Sequence, residues 1–322
     1  MNRNLGFNLA RVTEAAALSG AKHLGRGDKN AADGAAVDAM RRMFDTININ
    51  GRVVIGEGEM DEAPMLYIGE QIGLQGPDDE RVDIAVDPID GTTAIANGMN
   101  NAISVVAIAP EGCLLNAPDV YMNKIACGPK AKGHIDLNKS PKENIENVAK
   151  ALGKKPSEIT VSLLKRDRHK ALIEEIRAAG ARIKMISDGD IVTAISTCFD
   201  HSGVDMIMGI GGAPEGVVAA AALKCLGGDF QGRFVHYTDQ QKKRIDDFGT
   251  DENKIFHIDD LVKGEEVLFA ATGVSTGELL KGVDYLENNK ATTQSLVLRL
   301  PSGTVRFIDS LHKLDKKPDY AQ

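Results

Sequence analysis

Val82-Asp83-Ile84-Ala85-Val86-Asp87-Pro88-Ile89-Asp90-Gly91-Thr92 reads as a buried strand that runs straight into two carboxylates three residues apart. Pro88 has a fixed φ and no N–H donor, which predicts a sharp turn out of the strand and into a helix. Gly91 and Thr92 then offer backbone N–H groups and a hydroxyl where an oxyanion can sit. Hard carboxylate oxygens beside such donors suit Mg²⁺ or Mn²⁺.

A second acid cluster follows another short apolar strand. Arg52-Val53-Val54-Ile55 leads into Gly56-Glu57-Gly58-Glu59, and Met60-Asp61-Glu62-Ala63-Pro64 comes next. Glycines flanking an acid permit a tight turn and the close approach of a ligand. Taken alone, this stretch also reads as a solvated acidic turn. With Asp87 and Asp90 about thirty residues on, the two clusters together predict a divalent-metal site acting on a phosphoryl group.

The bulk properties narrow the choice of partner. The chain has 322 residues, 43% hydrophobic and 26% charged, enough for one large or two ordinary domains with proper cores. Its 38 basic and 46 acidic residues leave a net charge of −8, and there is no long Lys/Arg run. Nucleic acid and anionic membranes are therefore not expected partners. A phosphorylated substrate would be repelled at long range, so nearby basic residues and bound cations must reverse the field. Thirty-three glycines point to many tight βα turns, and the absence of Trp leaves the interior to aliphatic side chains. Cys113, Cys127, Cys198 and Cys225 are scattered without a C-x-x-C pair, which fits reduced core thiols. No signal peptide and no apolar run near the ~20 residues of a membrane span are visible, so a cytoplasmic location is expected.

Helix and strand signals alternate along the whole chain, as in an α/β fold. Leu5 to Leu24 has amphipathic helical spacing, with Leu9, Val12, Ala16 and Leu18 on its apolar positions. A second helix begins near Asp33, a residue placed to cap it. Strands are expected at Ile103 to Ala109, Cys113 to Asn116 and Asp119 to Met122. The polar stretch from Lys139 to Lys155 reads as a partly helical surface crossing. The expected division is therefore 1–155 and 156–322. The last strands, Ser295 to Leu300 and Thr304 to Ile308, are free to join either sheet.

The second half restarts a βα pattern at Thr160 to Leu164, with a helix from Arg168 to Ala179 and strands at Arg182 to Ile186 and Val204 to Met208. Lys165-Arg166-Asp167-Arg168-His169 is a compact positive cluster after the first of these strands. It is either a solvated helix start or a grip for a phosphate, where the planar Arg fork is suited to the task. His169 reads as a helix-surface residue. Asp188-Gly189-Asp190 can cap the helix at Ile191 or accept hydrogen bonds from sugar hydroxyls. Gly209-Ile210-Gly211-Gly212-Ala213-Pro214-Glu215-Gly216 leads into a helix from Val217 to Leu226, with Glu215 where the helix dipole favours an anion. No frame of this run matches G-x-G-x-x-G, and no P-loop is present.

Three long motifs carry a family resemblance. They are Gly56 to Glu70 (GEGEMDEAPMLYIGE), Asp87 to Thr92 (DPIDGT) and Gly211 to Val217 (GGAPEGV). With Arg11-Val12-Thr13-Glu14 and Ala270-Ala271-Thr272-Gly273, the chain closely resembles the class II fructose-1,6-bisphosphatases of bacteria, within the lithium-sensitive carbohydrate phosphatase superfamily. The resemblance spans nearly the whole chain in order. One position departs from it. The family usually has Glu where this chain has Asp90, which draws the carboxylate back by one C–C bond, ~1.5 Å.

The resemblance implies a two-lobed, layered αβαβα sandwich of the carbohydrate phosphatase type. It implies that Asp33, Glu57, Asp87, Asp90 and Glu215 ligate two or more Mn²⁺ or Mg²⁺ ions, with Glu215 facing the Asp87/Asp90 cluster. Thr92, Asp90 and Glu57 become the catalytic residues. Substrate contacts fall on Asp90, Gly91, Thr92, Tyr121, Arg166, Asp167, Arg168, Asp188, Gly189, Asp190 and Gly212. The implied reaction is removal of the 1-phosphate of fructose 1,6-bisphosphate, a gluconeogenic step, by a homodimer or homotetramer. Dual action on sedoheptulose 1,7-bisphosphate, an inositol-type monophosphatase and a non-catalytic sugar-phosphate sensor are the alternatives. The second-half basic cluster argues against the monophosphatase, and retention of all five acids with Thr92 argues against the sensor.

Overall fold

The computed structural model describes residues 1–2, 4–58 and 64–321. Two compact units emerge. One comprises residues 1–114 with 264–322, the other residues 115–263. The chain thus enters and leaves the second unit at 114/115 and 263/264, where the sequence reading placed a single boundary near 155. The segment read as a crossing is a helix of the second unit, Pro141–Leu152. It is opened by a capping box between Ser140 and Glu143. Its polar composition is one face only, because Ile145, Val148 and Ala149 are buried in that unit's core.

The first unit opens with α1 (Leu5–Ala21) and α2 (Lys29–Phe44), which pack on each other and on one sheet. Leu9, Val12, Ala16 and Leu18 are all buried, as their spacing requires. Asp28 caps α2 by accepting the Ala31 N–H at 2.9 Å, so Asp33 lies inside the helix and is not its cap. Then come β1 (Asn50–Ile55), β2 (Gln71–Ile72), β3 (Arg81–Asp90), the short α3 (Thr92–Ala96) and β4 (Ile103–Pro110).

The second unit contains β5 (Tyr121–Cys127), α4 (Pro141–Leu152), β6 (Thr160–Leu164), α5 (Lys170–Ala178), β7 (Arg182–Ile186) and α6 (Ile191–Ser196). It continues through β8 (Met206–Gly212), α7 (Ala213–Leu226), β9 (Asp229–Val235), α8 (Asp239–Phe248), β10 (Phe256–His257) and α9 (Ile258–Leu261). Its sheet has the order β10-β9-β5-β8-β6-β7, with β6 parallel to both β7 and β8 and β5 antiparallel to β8 and β9.

The chain then returns to the first unit as β11 (Leu268–Gly273), β12 (Asp284–Leu286), β13 (Lys290–Arg299) and β14 (Thr304–Lys313). The first sheet runs β12-β13-β11-β4-β3-β1-β2, with β14 along β13. The final strands therefore join the first sheet, and both sheets mix parallel and antiparallel pairs, as expected of a mixed α/β fold. Residues 113–116 form no strand beyond an isolated bridge at Leu114.

Candidate active site

β3 continues through Pro88 to Asp90, whereas the sequence reading ended it at Val86. Proline is tolerated because the ladder to β4 is irregular between Asp87 and Asp90, where a bulge removes the need for its missing N–H. Asp87 pairs in register with Val105 and Asp90 with Ile103. Asp90 is buried. Gly91 then takes the left-handed conformation, φ 105°, and forms the N-cap of α3. A Cβ there would meet Ala102 at 3.3 Å as well as the backbone penalty. No side chain caps α3, so its first-turn N–H groups are not spent on one.

β1 ends at Ile55, and Gly56 follows because a Cβ there would strike the Leu66 carbonyl. The Glu57 N–H donates to that same carbonyl at 3.0 Å. Its carboxyl group hydrogen-bonds Asp33, which reaches it from the second turn of α2. Burial holds the Asp33 carboxyl above the ordinary carboxylate range, while the Glu57 contact pulls it back. Two carboxyl groups share one contact only with a proton or a cation between them. That donor set fits a hard divalent ion. Glu59, Asp61 and Glu62 lie outside the described residues. Among the described residues no three Asp, Glu, His or Cys side chains converge at metal-holding distances.

The second unit assembles a different acid site. Glu215 stands in the first turn of α7, half-buried as a residue, with its Oε2 out of solvent and without a hydrogen-bond partner. Burial, opposed by the charge of Lys124, raises its carboxyl pKa. An unpartnered buried carboxylate oxygen is the donor a cation would take up. Lys124, from the middle of β5, is only 3% exposed. Its ammonium pairs with Asp190 at 2.6 Å and donates to the Gly212 carbonyl at 2.9 Å. Asp190 occupies the N-cap position of α6 yet makes no capping bond, since its carboxylate turns to Lys124. Gly211 and Gly212 make room for these acids. A Cβ at Gly211 would lie 2.1 Å from Asp190 Oδ2, and one at Gly212 would lie 1.8 Å from Glu215 Oε2. Sequence reasoning gave Lys124 no role, and its one signal was a lone cation inside the apolar run Ile125-Ala126-Cys127 and Met122.

The basic cluster is built on backbone carbonyls. Arg168 donates to Ile210 O through Nε at 3.1 Å and Nη2 at 2.7 Å, with its guanidinium 4.9 Å from the Tyr121 ring centroid. Tyr121 sits opposite Gly212 in the β5–β8 ladder and packs edge-on against Tyr237. Arg166 donates to Ser187 O at 2.6 Å and pairs with Asp188 at 3.5 Å. Gly189 has φ 71°, which lets the Asp188–Asp190 turn close. Asp167 points to solvent, 94% exposed, and pairs with Lys170. His169, expected on a helix surface, is instead buried to 1% exposure between β6 and β8.

Residues 3–312 match the model of the bacterial fructose-1,6-bisphosphatases encoded by glpX. The chain is 49% identical to "Fructose-1,6-bisphosphatase 1 class 2" of Escherichia coli K12, over 98% of this chain and 97% of that one. The class 2 enzyme of Shigella flexneri matches with the same identity and coverage. The chain belongs to this bacterial fructose-1,6-bisphosphatase family. Class II fructose-1,6-bisphosphatases are phosphoric monoester hydrolases that depend on metal ions and act in gluconeogenesis. Among the described residues no helix is long and apolar enough to cross a membrane.

Proposed function

We propose that this chain hydrolyses the 1-phosphate of fructose 1,6-bisphosphate to fructose 6-phosphate and inorganic phosphate. Asp33, Glu57, Asp87, Asp90 and Glu215 are the proposed ligands of two or more Mn²⁺ or Mg²⁺ ions. The observation that carries this reading is the carboxyl contact between Asp33 and Glu57 inside a chain matched by the family over residues 3–312. Bound ions supply a more acidic water and neutralise charge on the phosphoryl and leaving oxygens.

The protein's own groups do the rest. Thr92 orients the attacking water through its hydroxyl or helps to deprotonate it, with the carboxylates of Asp90 and Glu57 as the other catalytic groups. The N–H groups of Gly91 and Thr92 hold a phosphoryl oxygen, a task for which the left-handed Gly91 turn leaves them available. Phosphate leaves without a covalent enzyme intermediate. Tyr121, Arg166, Arg168, Asp188, Gly189, Asp190 and Gly212 hold the sugar and its second phosphate. Asp167 has the weakest structural support, given its exposure. The enzyme acts in the cytoplasm as a homo-oligomer.

The test is phosphate release by metal-stripped protein after Mn²⁺ or Mg²⁺ is returned. The substrates are fructose 1,6-bisphosphate, sedoheptulose 1,7-bisphosphate, fructose 1-phosphate and inositol 1-phosphate. Metal-dependent turnover of fructose 1,6-bisphosphate is expected, and turnover of both bisphosphates would make the enzyme dual. Preference for a monophosphate refutes the second-phosphate assignment. Binding without turnover points to a sensor.

A further inference from the structure

We infer that His169 is a positioning residue for Arg168: its imidazole clips the Ile210 backbone in place, and the Ile210 carbonyl in turn aims the guanidinium. The inference rests on the reading of Arg168 and Tyr121 as the seat of the substrate's second phosphate.

The tautomer follows from the partners. Nδ1 lies 2.7 Å from the Leu164 carbonyl, which can only accept, so Nδ1 carries the proton. Nε2 then bears a lone pair and accepts the Ile210 N–H at 2.8 Å. The ring thus ties the end of β6 to β8. Ile210 is held from both sides, its N–H by His169 and its carbonyl by two Arg168 donors.

Gly209 admits the ring. Its φ of 137° belongs to glycine, and a Cβ there would lie 3.1 Å from His169 Cε1 and Nε2. Three of the four residues from Gly209 to Gly212 are glycines. One side of this run is paired with β5, while the β6 ladder ends at Ile207, so on that side His169 supplies the partner that Ile210 would otherwise lack. Burial lowers the His169 pKa against the Leu164 carbonyl bond, which raises it; the charges of Arg168 and Arg166 lower it further and Asp190 opposes them. The ring therefore stays in its neutral, accepting form. Of the five N–H donors of Arg168, two are spent on Ile210 O and three remain for an anion.

A residue that orients a contact to the non-reacting phosphate should act on KM more than on kcat. The measurement is steady-state kinetics on fructose 1,6-bisphosphate with R168A, H169F and H169Q, each checked for folding by circular dichroism and Tm. R168A should raise KM about 50-fold, and H169F about tenfold with kcat within about threefold. H169Q, whose amide oxygen can accept the Ile210 N–H, should return KM to within about threefold of the parent. Unchanged KM in R168A overturns the underlying phosphate reading. A raised KM in R168A with a normal KM in folded H169F overturns the His169 role alone. Equal impairment of H169F and H169Q also overturns it, because the acceptor at Nε2 would then be irrelevant. If H169F does not fold, Gly209→Ala presses on the same contact, and a normal KM in that folded variant overturns the inference.

Discussion

The two units treat half-buried acids in opposite ways. In the first, Asp33 and Glu57 face each other, and no basic side chain contributes to the Asp33 carboxyl's shift. In the second, Lys124 pairs Asp190 and acts on Glu215 from within the fold. Like charges in contact cost stability until something neutralises them, while a buried ion pair is already neutral and fails only when one partner is removed. The first arrangement is one that the proposed metal ions would neutralise. The second is built to hold a loop still.

The sharpest way to break this comparison is to remove an acid from the first unit. Glu57→Ala or Asp90→Ala should lower metal-dependent kcat by at least ~10⁴, more than about 5 kcal/mol of barrier. The metal-free Glu57→Ala protein should meanwhile keep or gain stability, since a crowded carboxylate is gone. Near-normal turnover in either variant removes that residue from the site. A clear loss of metal-free stability would instead make the Asp33–Glu57 contact structural.

The complementary change belongs to the second unit. Lys124→Met leaves the half-buried Asp190 without its cation and should cost about 3 kcal/mol in denaturant unfolding. Adding Asp190→Asn should recover a substantial part of that loss. If Lys124→Met is as stable as the parent, the two units do not differ as described. The smallest expected effect refines the first unit. Asp90→Glu extends the acid by about 1.5 Å, so the ratio of Mn²⁺- to Mg²⁺-supported activity should shift by a few-fold. An unchanged ratio would mean that Asp90 does not tune the metal.

Much of the fold was legible because it is written in short-range chemistry. The β1 and β3 acids, the βα pattern of residues 160–186 and the buried face of α1 follow from periodicity and strand-end composition. The unit boundaries were not legible in the same way. The return of β11, β13 and β14 to the first sheet depends on which ladder a strand joins, and strand composition is indifferent to that. The helix α4 was read as a crossing because its polar face dominates the count, while its core contacts depend on where it docks.

The candidate site divides along the same line. By itself the sequence determined which acids and arginines are present, their places at strand ends, and through long motifs the family. Only the tertiary structure decided what each one faces. Asp28 takes the cap, so Asp33 is available to Glu57. Asp190 turns from its helix to Lys124, and Gly211 and Gly212 prove to be space for carboxylates. His169 moves from an expected surface to the junction of β6 and β8. The physical reason is range. Propensity and capping act over three or four residues, whereas the partner of a buried charge is chosen by desolvation, which depends on the whole packed unit.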